Sequence, residues 1–459
     1  MLTLKRLMLL CLLFPLGAAA ENPAVHELTL KNGLKVIVKE DHRSPVVVSQ
    51  VWYKVGSSYE HDGVTGLSHA LEHMMFKGTA KHGPNEFSRI IAENGGRENA
   101  FTSHDYTAYF QQLEKSRLKV SFELEADRMR NLTLSPKEFA KEIQVVMEER
   151  RMRTDDDPES LTDEQFDAVA FLNSSYRIPV IGWMDDLKSM RVADLRKWYE
   201  TWYAPNNATL VVVGDVQPQQ VFAMARTYFG PLKPSIIPEV KPRQEIPQTG
   251  IRRITVKAPA ELPYIIIGYK VPALRTAKLK WEPYALKVLS GILDGGESAR
   301  LPKELIRKSQ VAARAGAGYS LNARSNYLFE LDGTPAQGHD IAELEKALRD
   351  QVKDLRNKLV SADELKRVKA QVVASDVYQR DSVFYQAMQI GSLESVGLGW
   401  QVGDQYVGRV KAVTAEQVRD VARKYLIDDH LTVAVLDPQP ISDEERMRRS
   451  QHRGGDNVR

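Results

Sequence analysis

A chain of 459 residues, 43% hydrophobic and 27% charged, has the make-up of a globular protein, and its length favours two domains over one core. The formal charge of +3, from 63 basic and 60 acidic residues, gives no electrostatic reason to expect nucleic acid as a partner. The single cysteine, Cys11, lies so near the N-terminus that disulfides and thiol catalysis are excluded from the body of the chain, where a metal would have to use His and carboxylate ligands.

The N-terminus reads as a cleavable signal peptide over residues 1–20. Lys5 and Arg6 precede an apolar run from Leu7 to Leu16, and Gly17-Ala18-Ala19-Ala20 offers a small-residue cleavage site. The expected location is therefore periplasmic or secreted, with no membrane anchor after cleavage. No later run is apolar enough to span a membrane.

Next come β-type stretches. Leu28-Thr29-Leu30 and Leu34–Val38 flank an Asn32-Gly33 turn, which predicts a hairpin, and Val46–Tyr53 reads as a further strand. The following helix carries His69-Ala70-Leu71-Glu72-His73. Histidines at i and i+4 share one helix face and are close enough to hold one metal ion. Glu72 lies beside that face, where an ionised carboxylate takes a proton from a metal-bound water. The order H-x-x-E-H is the inverzincin signature. A lone histidine is more often a packing or surface residue; the pair with its interposed Glu argues otherwise.

A helix is predicted from Asn85 to Asn94, ended by Gly95-Gly96, and the Thr- and aromatic-containing stretch Arg97–Phe110 reads as strands. Ser135-Pro136 marks the start of another helix, with an N-cap residue followed by Pro at the first helical position. Phe139, Ile143 and Val146 define its apolar stripe. Glu142 and Glu149 fall on that stripe, whereas Glu148 lies about 100° away. Carboxylates on an inward face are costly unless paired or bound to metal, so the third ligand is expected at Glu149 or Glu142.

Residues 231–250 contain Pro231, Pro234, Pro238, Pro242 and Pro247, which forbids regular structure and marks a linker. Beyond it the chain echoes its first half: Trp52-Tyr53-Lys54-Val55 against Gly268-Tyr269-Lys270-Val271, and Tyr203–Asp215 against Tyr425–Asp437. Opposite His69, Glu72 and His73 stand Tyr284, Lys287 and Val288, so the second half cannot hold a second copy of the site. The expected domains are 21–230 with the zinc site, the linker 231–250, and 251–438 without zinc. The polar tail 439–459 reads as disordered.

The chain resembles the insulinase/pitrilysin-type metallopeptidases, which include the mitochondrial processing peptidases. The match is carried by His69–His73, Phe76-Lys77-Gly78-Thr79, Asn94-Gly95-Gly96, Asn99-Ala100-Phe101-Thr102, Glu142, Glu149, and Tyr203–Asn207 leading into Leu210–Asp215. The resemblance implies an α+β fold of two duplicated α/β-sandwich domains, each a mostly antiparallel sheet covered by helices, joined by the Pro-rich linker into a clamshell. It implies one Zn2+ per chain on His69, His73 and Glu149, with Glu72 as general base and Glu142 orienting a ligand. It places Asn99, Ala100, Phe101 and Thr102 on a strand edge that takes an extended peptide as an added strand.

In the non-zinc half of this family an Arg and, seven residues later, a Tyr contact substrate. Arg307 fits the Arg, but the Tyr position is Arg314, and Tyr319 is out of register. That departure implies the zinc-bearing subunit of a heterodimer, whose zinc-less homologous partner carries the Arg/Tyr pair. The family also contains non-catalytic assembly or scaffold subunits. Those have usually lost motif ligands, whereas every ligand is present here. A His₂Glu set also accommodates Mn or Co, so availability enters the choice of metal.

Overall fold

The computed structural model describes residues 25–241 and 243–442. The expected leader, and the tail beyond residue 442, lie outside the described residues.

Two sheets organise the molecule. The first contains β1 (Val25–Thr29), β2 (Lys35–Glu40), β3 (Val46–Tyr53), β4 (Arg97–Thr102), β5 (Thr107–Glu114) and β6 (Ala208–Gly214), in the order β1-β2-β6-β3-β5-β4. The second contains β7 (Arg252–Pro259), β8 (Tyr264–Val271), β9 (Ala312–Tyr319), β10 (Tyr327–Pro335) and β11 (Leu431–Gln439), in the order β7-β11-β8-β10-β9. The duplication is visible in the ladders. β2 is parallel to β6 and β7 is parallel to β11, while every other pairing is antiparallel. β4 and β9 are matching edge strands. The expected α+β architecture of two duplicated halves is met almost strand for strand, with β1 added to the first.

Inner strands such as Val46–Tyr53 and Ala208–Gly214 are apolar on both faces and almost wholly buried. Such continuous runs belong to sheets covered on both sides. One face of each sheet is covered by helices of its own half. The other is crossed by a helix from the opposite half: Pro158–Ala170 packs on β7, β8 and β11, and Val383–Ser395 packs on β3 and β6. Both crossings bring backbone against an aromatic ring. A Cβ on Gly391, in the helix Val383–Ser395, would meet the Trp52 ring of β3 at 2.0 Å. A Cβ on Gly268 of β8 would meet Phe166 of the helix Pro158–Ala170 at 2.5 Å. Only glycine fits at either place, and the large and small partners have exchanged sides between the two halves.

No regular secondary structure is found among the described residues of 231–250, but the segment is tied down. Glu245 accepts from the backbone N–H groups of Leu172, Asn173 and Ser174 and pairs with Lys270 at 2.7 Å. A second tie is Asp105, in the β4–β5 turn. It accepts from Ser58 at 3.0 Å, from Tyr176 at 2.6 Å, and from Arg324 of the second half at 3.1 Å.

Candidate metal centre

The motif helix Leu67–Met74 packs Leu67, Ala70, Leu71 and Met74 into the first core. Its N-terminus is held by a buried carboxylate. Glu60 accepts from the backbone N–H of Gly66 at 2.7 Å and of Ser68 at 2.6 Å, satisfying two donors that no side-chain N-cap serves. Burial pushes the Glu60 carboxyl up to about 7 against the pull of these donors. The helix is therefore fixed along its axis, and His69, Glu72 and His73 project from its half-buried side.

The facing helix, Pro136–Arg150, starts after Ser135 with Pro at its first turn, although the Ser135 side chain makes no capping bond. Ile143, Val146 and Met147 are buried, and Phe139 is half-buried. Arg150 anchors the far end. Though buried, it pairs with Glu164 at 2.7 Å and donates to the Gly182 carbonyl at 2.8 Å. Periodicity separates the three candidate carboxylates as the packing does. The side chains of Glu142 and Glu149 are 12% and 15% exposed, while that of Glu148 is 48% exposed and pairs with Arg151.

The two helices bring His69, His73 and Glu149 together, with one ligand atom from each lying within 4.8 Å of the others. Glu149 Oε2 is 3.3 Å from His73 Nε2 and 3.8 Å from His69 Nε2. The remaining nitrogen of His73, Nδ1, is 3.0 Å from Glu142 Oε1, whose other oxygen pairs with Lys77 at 2.8 Å. A carboxylate on the distal nitrogen selects the tautomer and fixes the ring of a ligating histidine. Burial and the neighbouring His73 push the His69 imidazole down to about 4. Burial also works against a proton on His73, but the Glu142 and Glu149 carboxylates outweigh it and hold that ring up at about 9. Two imidazole nitrogens and one carboxylate oxygen, without thiolate, fit a catalytic zinc with an open coordination position.

Glu72 is mostly shielded from water, which raises its pKa; the Thr102 hydroxyl, donating to Oε2 at 2.5 Å, and His73 oppose that shift. Thr102 ends β4, the edge strand beside the motif helix. Ala100 also packs toward the core beneath that helix. Phe101 points through the opposite face, against Trp52 and Tyr106. The Asn99 carboxamide accepts from the Ala100 N–H at 2.8 Å. Arg307 is not brought to this cluster. It lies in the second half, where its guanidinium pairs with Glu297 at 2.6 Å. Arg314 pairs with Glu159 at 2.6 Å.

Arg153 and Glu60 lie outside the sequence motifs, and Lys77 lies within one that gives it no role. Lys77 follows His73 by four residues and Arg153 follows Glu149 by four, so helical spacing was an available signal for both. Arg153 pairs with Glu149 Oε1 at 2.7 Å. Glu60 had no local signal, because its partners are backbone groups beyond a turn.

A family model described as insulinase (peptidase family M16) matches residues 35–182, and one described as peptidase M16 inactive domain matches residues 189–372. The zinc protease PqqE of Helicobacter pylori is 36% identical over 341 residues, covering 73% of this chain and 76% of that protein. The uncharacterized zinc protease YmxG of Bacillus subtilis is 25% identical over 417 residues, covering 90% of this chain and 98% of that one. The crystal structure of a protease from Helicobacter pylori has a TM-score of 0.86 at 32% identity, covering 91% of this chain and all of that one.

Proposed function

The chain belongs to the insulinase family of M16 peptidases, and from that premise we propose that it is a zinc endopeptidase acting on extended or unfolded peptides. The observation that carries this reading is the convergence of His69, His73 and Glu149 beside Glu72, next to an open sheet edge.

His69, His73 and Glu149 would hold the ion, with Glu142 orienting His73. Bound there, zinc supplies Lewis acidity toward water and the scissile carbonyl. Glu72 takes the proton of the attacking water and returns it to the leaving amine. Its shielded, Thr102-anchored carboxylate supports that role. β4 aligns the peptide by backbone pairing, a mode that reads side chains weakly and favours unfolded segments. The leader-like residues 1–20 support export to the periplasm or beyond.

The same reading makes this chain the zinc-bearing member of a heterodimer with a zinc-less homologue. It is supported by Arg314 at the expected Tyr position, committed to Glu159. The test is hydrolysis of unstructured peptides by the purified chain and by Glu72→Gln. We expect Glu72→Gln to retain zinc and lose about 10²–10⁴-fold in kcat, the span of general-base catalysis. A near-full rate in that variant would overturn the assigned base, and full turnover by the chain alone would overturn the heterodimer.

A further inference from the structure

A cavity of about 700 Å³ lies where the two halves and their connector meet. Ser58–His61 and Ser174–Tyr176 come from the first half. Arg275, Thr276, Lys278 and Arg324–Asn326 come from the second, and the connector contributes Val240, Lys241 and residues 243–245. Most residues lining the cavity are polar or charged, and the charge is one-sided. Five cationic residues face it: Lys241, Arg243, Arg275, Lys278 and Arg324.

The two acids in the same wall are already engaged. Glu60 spends both oxygens on the N-terminus of the motif helix. Glu245 is held by Lys270 and three backbone N–H groups. Arg324 is matched by Asp105. Arg275 donates to the Val396 carbonyl, which leaves its charge uncompensated. Among the described residues, no acid lies within ion-pair distance of Lys241, Arg243, Arg275 or Lys278. Four exposed cations gathered around one concavity repel one another, and an anion there removes the repulsion while gaining charge-assisted hydrogen bonds.

The cavity also adjoins the end of the strand edge. β4 stops at Thr102, and the next two carbonyls, of Ser103 and His104, are taken by the N–H groups of Ser57 and Ser58 at 3.1 and 2.8 Å. A peptide added along β4 therefore runs out of backbone partners at Thr102. Ser58, which takes the second of these carbonyls, also lines the cavity.

We propose that this cavity is a subsite for the acidic part of a peptide substrate, binding side-chain or terminal carboxylates through Lys241, Arg243, Arg275 and Lys278. The inference rests on the peptidase reading above and adds the charge of the substrate to it. Because the site spans both halves and the connector, an occupied cavity also ties the three together.

The test compares two fluorescent peptides that share a neutral strand-forming segment and differ only in a flanking Asp-Glu-Asp-Glu or Gln-Asn-Gln-Asn extension. Affinities are measured by anisotropy on the full-length, zinc-loaded Glu72→Gln chain at low ionic strength. The acidic extension is expected to bind about tenfold more tightly, with the advantage shrinking in high salt. In Arg243→Glu combined with Lys278→Glu, two exposed positions remote from the zinc ligands in sequence, that advantage should vanish while the neutral peptide binds as before. Equal affinity of the two peptides for the unaltered cavity would overturn the proposal, as would a preference that survives the charge reversal. Hydrolysis of the neutral peptide by the chain with Glu72 intact reports on the peptidase reading separately.

Discussion

The motif helix Leu67–Met74 and the helix Glu282–Asp294 occupy corresponding places over matching sheets, yet only one of them faces metal-binding chemistry. In the first, His69, Glu72 and His73 point toward a carboxylate helix. In the second, Tyr284 and Val288 are buried in the core, and Lys287 stands where the general base would. Burial pushes the Lys287 pKa down. The two halves share a scaffold, and only one of them carries the donor set. Topology therefore accounts for where a site can be, and donors on both facing helices decide whether it exists.

Removing donors from the first half has the largest expected effect. His73→Ala or Glu149→Ala should abolish stoichiometric zinc in metal analysis. Glu142→Gln, which leaves all three donors, should weaken zinc affinity about 10–100-fold, as loss of a carboxylate behind a ligating histidine does. Grafting Tyr284→His with Lys287→Glu and Val288→His should leave the stoichiometry at one per chain. The acid nearest in role on the neighbouring helix Ala362–Gln379, Asp376, is already paired with Arg380 at 2.8 Å. Two zinc ions in the grafted chain would show that the second half had lost nothing but its ligands.

A smaller effect is expected where the halves cover one another. Gly391→Ala places a methyl group inside the Trp52 ring and should cost about 1–3 kcal/mol, the usual range for overpacking, read as a lowered Tm. Gly268→Ala presses on the edge of Phe166 instead and should cost less, since Phe166 meets it with one ring atom nearest rather than the whole indole. Equal losses would mean that the two crossings are mechanically equivalent.

A further effect is expected in the pH profile. Burial, with Asp163 and Asp332 nearby, pushes Glu330 of β10 up to about 7 from an ordinary value of 4.5. Between those values the folded chain holds a proton that the unfolded chain has released, so stability falls as pH rises through that window. The slope is at most about 1.4 kcal/mol per pH unit for one proton. Glu330→Gln should flatten that part of a chemical-denaturation profile, and an unchanged profile would remove Glu330 from the account.

Much of the fold was legible in local pattern. Alternating or continuous apolar runs marked β2 and β3, the Asn32-Gly33 pair marked the first turn, and Ser135-Pro136 marked the start of the carboxylate helix. The inward placement of Glu142 and Glu149, and the outward placement of Glu148, followed from a period of 3.6 residues. Lys77 and Arg153 obey the same periodicity, but an exposed-looking cation after an acidic or histidine-bearing turn is a common helix surface pattern and carries no signal of a role. Arg307 was given only by the family resemblance, and its partner in the structure is Glu297.

The chain's local chemistry was enough to specify the motif helix, the helix after Asn85, the carboxylate helix and the first strands, since each depends on neighbours a few positions apart, and echoes between the two halves marked the duplication. The exchange of covering helices between halves could not be read there. Neither could the fit of Gly391 against Trp52, the Asp105 tie to Arg324, the capping of the motif helix by Glu60, or the cations gathered around the junction cavity. These contacts join groups that are remote in sequence or separated by turns. They leave no periodic trace, because they are selected by packing and charge compensation in the assembled fold and not by the conformation of any one segment.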